Sequence, residues 1–144
     1  MRILVLNGPN INLLGLREPD IYGKESFADL LALLDATASE TGIQVDSFQS
    51  NHEGALVDKI QQAFGVYDGI VINPAAYTHT SIAILDALKA VSIPAVEVHI
   101  SDPMQRETFR HVSYAGMACI KTISGHGIRG YREAILFLQE YCKE

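Results

Sequence analysis

The sequence predicts a doubly wound α/β fold, in which helices cover both faces of a parallel sheet. Short apolar runs of strand length alternate along the chain with segments whose apolar residues recur at helical spacing. The first run, over 2–7, is rich in Ile, Leu and Val, which is typical of a strand buried on both faces. A chain of 144 residues has the length of one ordinary domain, so we expect a single domain over 1–144.

The predicted elements follow one another along the whole chain. Strands are expected over 2–7, 43–49, 69–73, 94–100 and 118–124, with a long connection over 8–23. Four helices are expected between and after the strands, the third of them over 80–90. In chain order, their inward faces are formed by Phe27, Leu30, Leu31, Leu34 and Ala38; by Leu56, Ile60, Ala63 and Phe64; by Ile84, Leu85, Leu88 and Val91; and by Tyr131, Ala134, Ile135, Leu138 and Cys142.

Local signals predict where several helices begin and end. Ser26 and Asp29 have the spacing of a capping box, and Gly42 stands where a helix-terminating glycine is expected. Asn51 is a candidate cap for the second helix, and Asp102, which precedes a proline, is a candidate start for a short helix.

Alternating strands and helices imply parallel pairing through right-handed crossovers. Five strands in a chain of this size fit the flavodoxin-like order 2-1-3-4-5. In such a sheet, ligands bind at the carboxyl ends of the strands, where the strand order reverses between strands 1 and 3. The segments after strands 1, 3 and 4 are therefore the candidate site.

The composition excludes several classes of protein. Eleven basic and 17 acidic residues give a formal net charge of −6, which argues against nucleic-acid binding but not against a small anionic ligand in a local cationic cleft. No apolar run approaches the roughly 20 residues of a membrane span, and the N-terminal segment lacks the features of a signal peptide, so we expect a cytoplasmic protein. Cys119 and Cys142 have no metal-site spacing and are expected to be reduced thiols.

Arginines near the candidate site predict recognition of an anion. Arg106 and Arg110 are four residues apart on the expected short helix, so their guanidinium groups would project from one face. Together with Arg17 they could clamp a carboxylate, because planar guanidinium forks match that group. The alternative is a solvated helix face.

Two further observations point to acid–base chemistry. Glu97 and His99 are two residues apart on one strand, so their side chains would point to the same side. A carboxylate beside an imidazole holds its orientation and favours the protonated form, which makes a general acid. The alternative is a histidine paired with a carboxylate for stability alone. A nearby cation would lower the pKa of Tyr22 and make this phenol a base, whereas without the rest of the site Tyr22 is an ordinary loop aromatic.

A glycine motif over 125–130 matches G-x-G-x-x-G, but we interpret it as a tight strand-to-helix turn. A dinucleotide site also needs a following strand, and only 14 residues remain after Gly130. A phosphoacceptor receiver is excluded because Asn7 and Asn73 stand where it needs acidic residues.

The residue blocks as a whole closely resemble type II 3-dehydroquinate dehydratase. The N-terminal blocks are NGPNINLLG over 7–15, REP over 17–19 and YG over 22–23. The later blocks are NPAAYTHTS over 73–81, EVHIS over 97–101, the segment from Arg106 to Tyr114, and the turn over 125–131. They span almost the whole chain in family order, and the combination is highly specific.

The resemblance implies reversible dehydration of 3-dehydroquinate to 3-dehydroshikimate, with no metal and no organic cofactor. By matching position, Tyr22 removes the proton from the carbon next to the ketone. Arg17 lowers the pKa of Tyr22 and stabilises the transition state. Asn10 helps to hold a water that stabilises the enolate. His99, supported by Glu97, protonates the departing hydroxyl.

The resemblance also implies how the substrate is held and how the protein assembles. Its hydroxyls and carboxylate are bound by Asn73, His79, Arg110 and the backbone amides of Ile100 and Ser101. Arg106 matches an arginine of the mobile lid or its surroundings. Asp86 matches a residue that reaches the site of a neighbouring subunit in a dodecamer of four trimers.

The sequence departs from the family pattern in places, and two alternatives stay open. Asp102 stands where the family often has Asn, Val112 where a second His is common, and the segment 117–121 also differs. One alternative is a binding or assembly protein that keeps the anion pocket without turnover. The other is an imine route, for which the lysines have no evident placement; they are Lys24, Lys59, Lys89, Lys121 and Lys143.

Overall fold

The computed structural model describes residues 1–16 and 18–143, except for the side chains of Pro19 and Tyr22. Its centre is a parallel sheet in the order β2-β1-β3-β4-β5. The strands are β1 (Arg2–Asn7), β2 (Gln44–Gln49), β3 (Gly69–Asn73), β4 (Ala95–His99) and β5 (Lys121–Ser124). The predicted fold class and strand order are confirmed.

Helices cover both faces of the sheet. They are α1 (Pro19–Tyr22), α2 (Phe27–Thr41), α3 (Glu53–Ala63), α4 (Ile82–Val91) and α5 (Arg129–Tyr141). Short 3-10 turns lie at Ile11–Leu13, Ala75–His79, Pro103–Gln105, Thr108–Arg110 and Ala115–Ala118. Helices α2 and α5 pack on one face, and α3 and α4 pack on the other. None of the described helices has both the length and the apolar character needed to cross a membrane.

The two cores explain why the central strands are continuous apolar runs. Ile3 and Val5 of β1 face α2 and α5, whereas Leu4 and Leu6 face α3 and α4. All four side chains are completely buried, as expected for a strand covered on both faces. The edge strand β2 is partly exposed along its length, which accounts for its mixed polar and apolar sequence.

The predicted ends of α2 are confirmed. The Ser26 hydroxyl accepts a hydrogen bond from the Asp29 N–H, and the Asp29 carboxylate accepts one from the Ser26 N–H, which makes a complete capping box. After the helix, Gly42 adopts a φ of 74°, a left-handed conformation that favours glycine.

Other predicted helix features are wrong because the helices begin or end nearby. Residue His52, not Asn51, occupies the cap position of α3, and the Asn51 amide oxygen instead accepts the Asn10 N–H at 3.0 Å. Helix α3 ends at Ala63, so Phe64 leaves the inward face and is 70% exposed. Helix α5 ends at Tyr141, and Cys142 is exposed.

Several predicted bounds also differ from the structure. The connection over 8–23 contains a 3-10 turn and α1. The helix expected over 80–90 begins at Ile82, because the Ser81 hydroxyl caps it by accepting the Ile84 N–H. The last strand begins at Lys121, not at residue 118, because the preceding chain forms a 3-10 turn.

Gly8 brings the loops after β1 and β3 together at the point where the strand order reverses. Its N–H donates to the Asn73 carbonyl at 2.8 Å. A Cβ atom at Gly8 would lie 2.3 Å from the Pro74 carbonyl oxygen, a backbone atom that cannot rotate away. Only glycine allows this approach, which places both loops around one cavity.

Candidate active site

A cavity of about 140 Å³ opens at the carboxyl ends of β1, β3 and β4. Its described lining is formed by Pro9, Asn10, Ile11, Asn73, Ala75, Ala76, His79, His99, Ile100, Ser101, Pro103, Arg106 and Arg110. The lining contains two arginines and, within the described part of the chain, no carboxylate. The cavity therefore suits a small anionic ligand.

His99 and Glu97 form a buried pair beside this cavity, as their alternation on β4 predicts. Nε2 of His99 lies 2.9 Å from Oε2 of Glu97, and the two residues are 8% and 1% exposed. Because the carboxylate accepts a hydrogen bond at Nε2, Nδ1 is the ring nitrogen that is available to a ligand. Glu97 stays behind His99 and does not itself line the cavity.

Two hydroxyl groups complete the environment of the Glu97 carboxylate. Oε2 accepts the hydroxyl of Ser113, and Oε1 accepts the hydroxyl of Thr122 at 2.8 Å. The neighbouring Gly116 has no room for a side chain, because a Cβ there would lie 2.8 Å from Oε1 of Glu97. The carboxylate is thus held on several sides, and its orientation fixes that of the His99 ring.

These contacts hold Glu97 in its ionised form. Burial alone would raise the pKa of Glu97. The hydrogen bond and charge of His99 and the hydroxyls of Ser113 and Thr122 outweigh burial, so the pKa of Glu97 is below its ordinary value. The ionised carboxylate accepts the hydrogen bond of Nε2 and holds the His99 ring beside the cavity, as a positioned general acid requires.

The lowered pKa of Glu97 predicts a specific loss of stability in acid. Ionised Glu97 stabilises the fold above its pKa in the unfolded chain, near 4.5, and this contribution is lost as the pH falls through the lower folded value. We expect the free energy of unfolding, measured by urea denaturation, to fall less between about pH 7 and pH 3 in Glu97→Gln than in the wild type.

A matched variant separates this effect from general acid destabilisation. Glu140→Gln removes a carboxylate that is 74% exposed and pairs only with Lys143 among the described residues. It should therefore keep the wild-type pH dependence. An equal loss of stability in the wild type and in Glu97→Gln contradicts the prediction.

His79 also lines the cavity, and its surroundings favour the neutral form. Its Nδ1 lies 2.7 Å from the Val112 carbonyl, which can only accept, so Nδ1 carries the proton. Burial lowers the pKa of His79, the Val112 carbonyl partly offsets this, and the nearby charges of His99 and Arg110 lower it further. Nε2 of the neutral ring is then an acceptor for a ligand hydroxyl.

Both predicted arginines line the cavity, but not from one helix, so that part of the prediction is wrong. Arg106 follows the turn Pro103–Gln105 in an extended conformation, with φ −115° and ψ −167°. This conformation ends the first turn, and a separate second turn forms at Thr108–Arg110. Glu107 lies between them, with its carboxylate oxygens 3.0 Å from Nε of Arg110 and 3.9 Å from Nε of Arg106.

Two lining residues have left-handed backbone conformations. Asn10 has a φ of 69°, which asparagine tolerates well. Ala75 has a φ of 55°, which is costly for a residue with a Cβ, and it is held there by packing against the core and by donating its N–H to Oδ1 of Asn73 at 3.1 Å. This hydrogen bond fixes one end of the Asn73 amide.

The other end of the Asn73 amide contacts a residue that was not assigned to the site. Nδ2 of Asn73 donates to the hydroxyl of Tyr131 at 2.9 Å, and that hydroxyl donates to Oδ1 of Asn7 at 2.6 Å. Tyr131 and Asn7 are completely buried. The helical spacing predicts Tyr131 only as a core residue, and no sequence signal links it to Asn73, 58 positions away.

The structure brings together Asn10, Asn73, His79, His99, Ile100, Ser101, Arg106 and Arg110 around the cavity. Asp86 is elsewhere, on the exposed face of α4. Arg17 and the side chain of Tyr22 lie outside the described residues. Among the described residues, no group of three or more His, Cys, Asp or Glu side chains is arranged to hold a metal ion.

Comparison with known proteins identifies the family. The family model described as dehydroquinase class II matches residues 1–139 of the chain. The chain belongs to the class II dehydroquinase family. Membership makes it an enzyme, a dehydratase of the lyase class in the shikimate pathway.

Relatives and solved structures of class II dehydroquinases match almost the full length. A 3-dehydroquinate dehydratase from Corynebacterium glutamicum (strain R) is 54% identical over 142 residues, which cover 99% of this chain and 98% of the relative. The crystal structure of type II dehydroquinase from Butyrivibrio crossotus DSM 2876 is 51% identical, with a TM-score of 0.95, and the match covers 96% of this chain and 97% of that one. The type II dehydroquinase structure from Propionibacterium acnes is 43% identical, with a TM-score of 0.90, over 99% and 97% of the two chains.

Proposed function

We propose that this class II dehydroquinase converts 3-dehydroquinate reversibly to 3-dehydroshikimate through an enolate intermediate. In the forward direction, Tyr22 takes the proton from the carbon next to the ketone, and the electron pair of that C–H bond forms the enolate. The enolate then collapses, the bond to the β-hydroxyl breaks, and His99 gives that oxygen a proton so that it leaves as water. Arg17 stabilises the ionised form of Tyr22, and Asn10 helps to hold a water against the enolate oxygen.

The observation that carries the proposal is the buried pair of His99 and Glu97 at a cavity suited to an anion. The Glu97 carboxylate stabilises the protonated imidazole, and the ring reaches the cavity in which the substrate would lie. General acid catalysis is needed because hydroxide is a poor leaving group, whereas water is a good one.

The cavity lining supports recognition of a polyhydroxylated carboxylate. Arg106 and Arg110 supply positive charge, and neutral His79 supplies an acceptor for a hydroxyl. The Asn73 amide offers both a donor and an acceptor. We propose that these residues, with the backbone of Ile100 and Ser101, hold the substrate's carboxylate and hydroxyls.

We also propose, from the family resemblance, that the enzyme is cytoplasmic and assembles as a dodecamer of four trimers. Asp86 is consistent with this role, because it is exposed on α4 and does not line the cavity of its own chain. In the assembly it would reach the site of a neighbouring subunit.

The direct test is the appearance of enolone absorbance when the purified protein is mixed with 3-dehydroquinate. We expect turnover without added metal or organic cofactor. No signal across about pH 6–9 contradicts the proposal and favours a binding protein that lacks turnover. Inactivation by borohydride in the presence of substrate identifies an imine on a lysine and contradicts the enolate route.

A further inference from the structure

The hydrogen-bonded series from Ala75 to Asn7 assigns a positioning role to a buried tyrosine. We propose that Tyr131 fixes the orientation of the Asn73 amide and thereby its ability to bind the substrate. This inference rests on the proposed function, because it concerns how the same cavity holds 3-dehydroquinate.

The direction of each hydrogen bond in the series is determined by the one before it. The Ala75 backbone N–H can only donate, so it requires the oxygen of the Asn73 amide. Nδ2 of Asn73 then points to the Tyr131 hydroxyl and donates to it. The single hydroxyl hydrogen of Tyr131 is given to Oδ1 of Asn7, so Tyr131 can only accept from Asn73.

This arrangement leaves Asn73 with a defined remaining capacity. The amide has two N–H groups and two oxygen lone pairs, and one of each is used by Tyr131 and Ala75. One N–H and one lone pair remain for the substrate. If the amide turned over, it would lose both protein contacts and present its donor and acceptor in exchanged places.

The fold brings Tyr131 to this position through the glycine motif over 125–130, which connects β5 to α5. Gly130, its last glycine, lies in the first turn of α5 and so close to the sheet that a Cβ would lie 3.2 Å from Cγ1 of Val98 and 3.4 Å from Cγ2 of Ile123. The next residue, Tyr131, therefore reaches the adjacent ends of β1 and β3, where Asn7 and Asn73 are paired in register.

The test is Tyr131→Phe, which removes one oxygen and keeps the ring. Because the proposed function places Asn73 in substrate binding and not in proton transfer, we expect KM to rise about five- to tenfold while kcat changes less than about threefold. In an Asn73→Ala background the same substitution should leave KM unchanged, since no amide remains to be oriented.

A second tyrosine provides a matched control. The Tyr67 hydroxyl donates to Asp46 at 2.7 Å, and Tyr67 precedes β3 at the end of the sheet opposite the cavity. Tyr67→Phe removes the same atom, so it should leave KM unchanged even if it lowers stability. A rise in KM for Tyr131→Phe that is equal with and without Asn73, or no rise at all, overturns the inference.

Asn7→Leu tests the series from its other end should Tyr131→Phe fail to fold. Leucine has the shape of asparagine, and it removes an amide whose buried Nδ2 has no hydrogen-bond partner within the described residues. The Tyr131 hydroxyl is then free to donate as well as to accept, so only the Ala75 N–H still specifies the orientation of the Asn73 amide, and KM should rise several-fold. An unchanged KM contradicts the inference.

The effect of Tyr131 on the Asn73 amide can also be measured without turnover, which separates this inference from the proposed function. Hydrogen exchange of the Asn73 side-chain amide, followed by NMR, should be slow in the wild type and at least about tenfold faster in Tyr131→Phe. An inactive wild type contradicts the proposed function alone. Equal exchange rates in the two proteins overturn the role of Tyr131.

Discussion

Replacing His99 with alanine should lower kcat for dehydration by about 10²–10⁴-fold, because the departing hydroxyl loses its proton donor. The structure supports this size of effect. The ring of His99 lies at the cavity and its Nε2 is held by Glu97, which is itself buried and held by Ser113 and Thr122. A group fixed on a strand in this way is already oriented before the substrate binds. His79, the other histidine of the described lining, contacts the Val112 carbonyl and not a carboxylate.

The step affected can be identified by hydrogen exchange. In His99→Ala the base is still present, so the substrate's proton next to the ketone should exchange with deuterium from the solvent while dehydration is slow. An equal fall in exchange and in dehydration contradicts the role of His99 as the acid. His52→Ala is a suitable control, since His52 is exposed at the start of α3 and caps nothing with its side chain.

The stability of His99→Ala must be measured as well. Removing the imidazole takes one donor from the buried Glu97 carboxylate, and loss of a partner to a buried charge is destabilising. Kinetics should therefore be recorded well below the unfolding transition. Under those conditions a loss of kcat reports the chemistry and not the fraction of unfolded protein.

The fold could be predicted because its signals are local. The run Arg2–Asn7 reads as a doubly buried strand, and the capping box of Ser26 and Asp29 gives the start of α2 without any tertiary information. Errors occur where a tertiary contact decides. Asn51 has the right residue type for a helix cap, but its side chain is used by the Asn10 N–H, 41 positions away.

The candidate site shows the same division. The pairing of Glu97 with His99 follows from strand alternation, a property of two neighbouring residues. Ser113 and Thr122 could not be found in this way, because they are far from Glu97 in the sequence. Ser113 is 16 positions away, between two 3-10 turns, and Thr122 is 25 positions away, on the edge strand β5. Arg106 and Arg110 reach the cavity although the expected helix is absent, because the two successive turns that replace it both contribute to the lining.

Replacing Tyr22 with phenylalanine should lower kcat by about 10²–10⁴-fold with little change in KM, because the ring is kept and only the base is lost. A free phenol has a pKa near 10 and is ionised in about one molecule per thousand at pH 7, so the proposed base depends on a nearby cation such as Arg17. Near-normal turnover in Tyr22→Phe contradicts this role. Tyr141→Phe, at an exposed position near the end of α5, controls for loss of a phenol elsewhere.

The two variants are most informative when compared in the same exchange experiment. Proton removal comes before loss of the hydroxyl in a stepwise elimination, so a missing base abolishes both processes, whereas a missing acid abolishes only the second. Tyr22→Phe should therefore lose deuterium exchange and dehydration together, and His99→Ala should keep the exchange. If both variants keep exchange, another group removes the proton, and if both lose it, the two steps are concerted and no enolate forms.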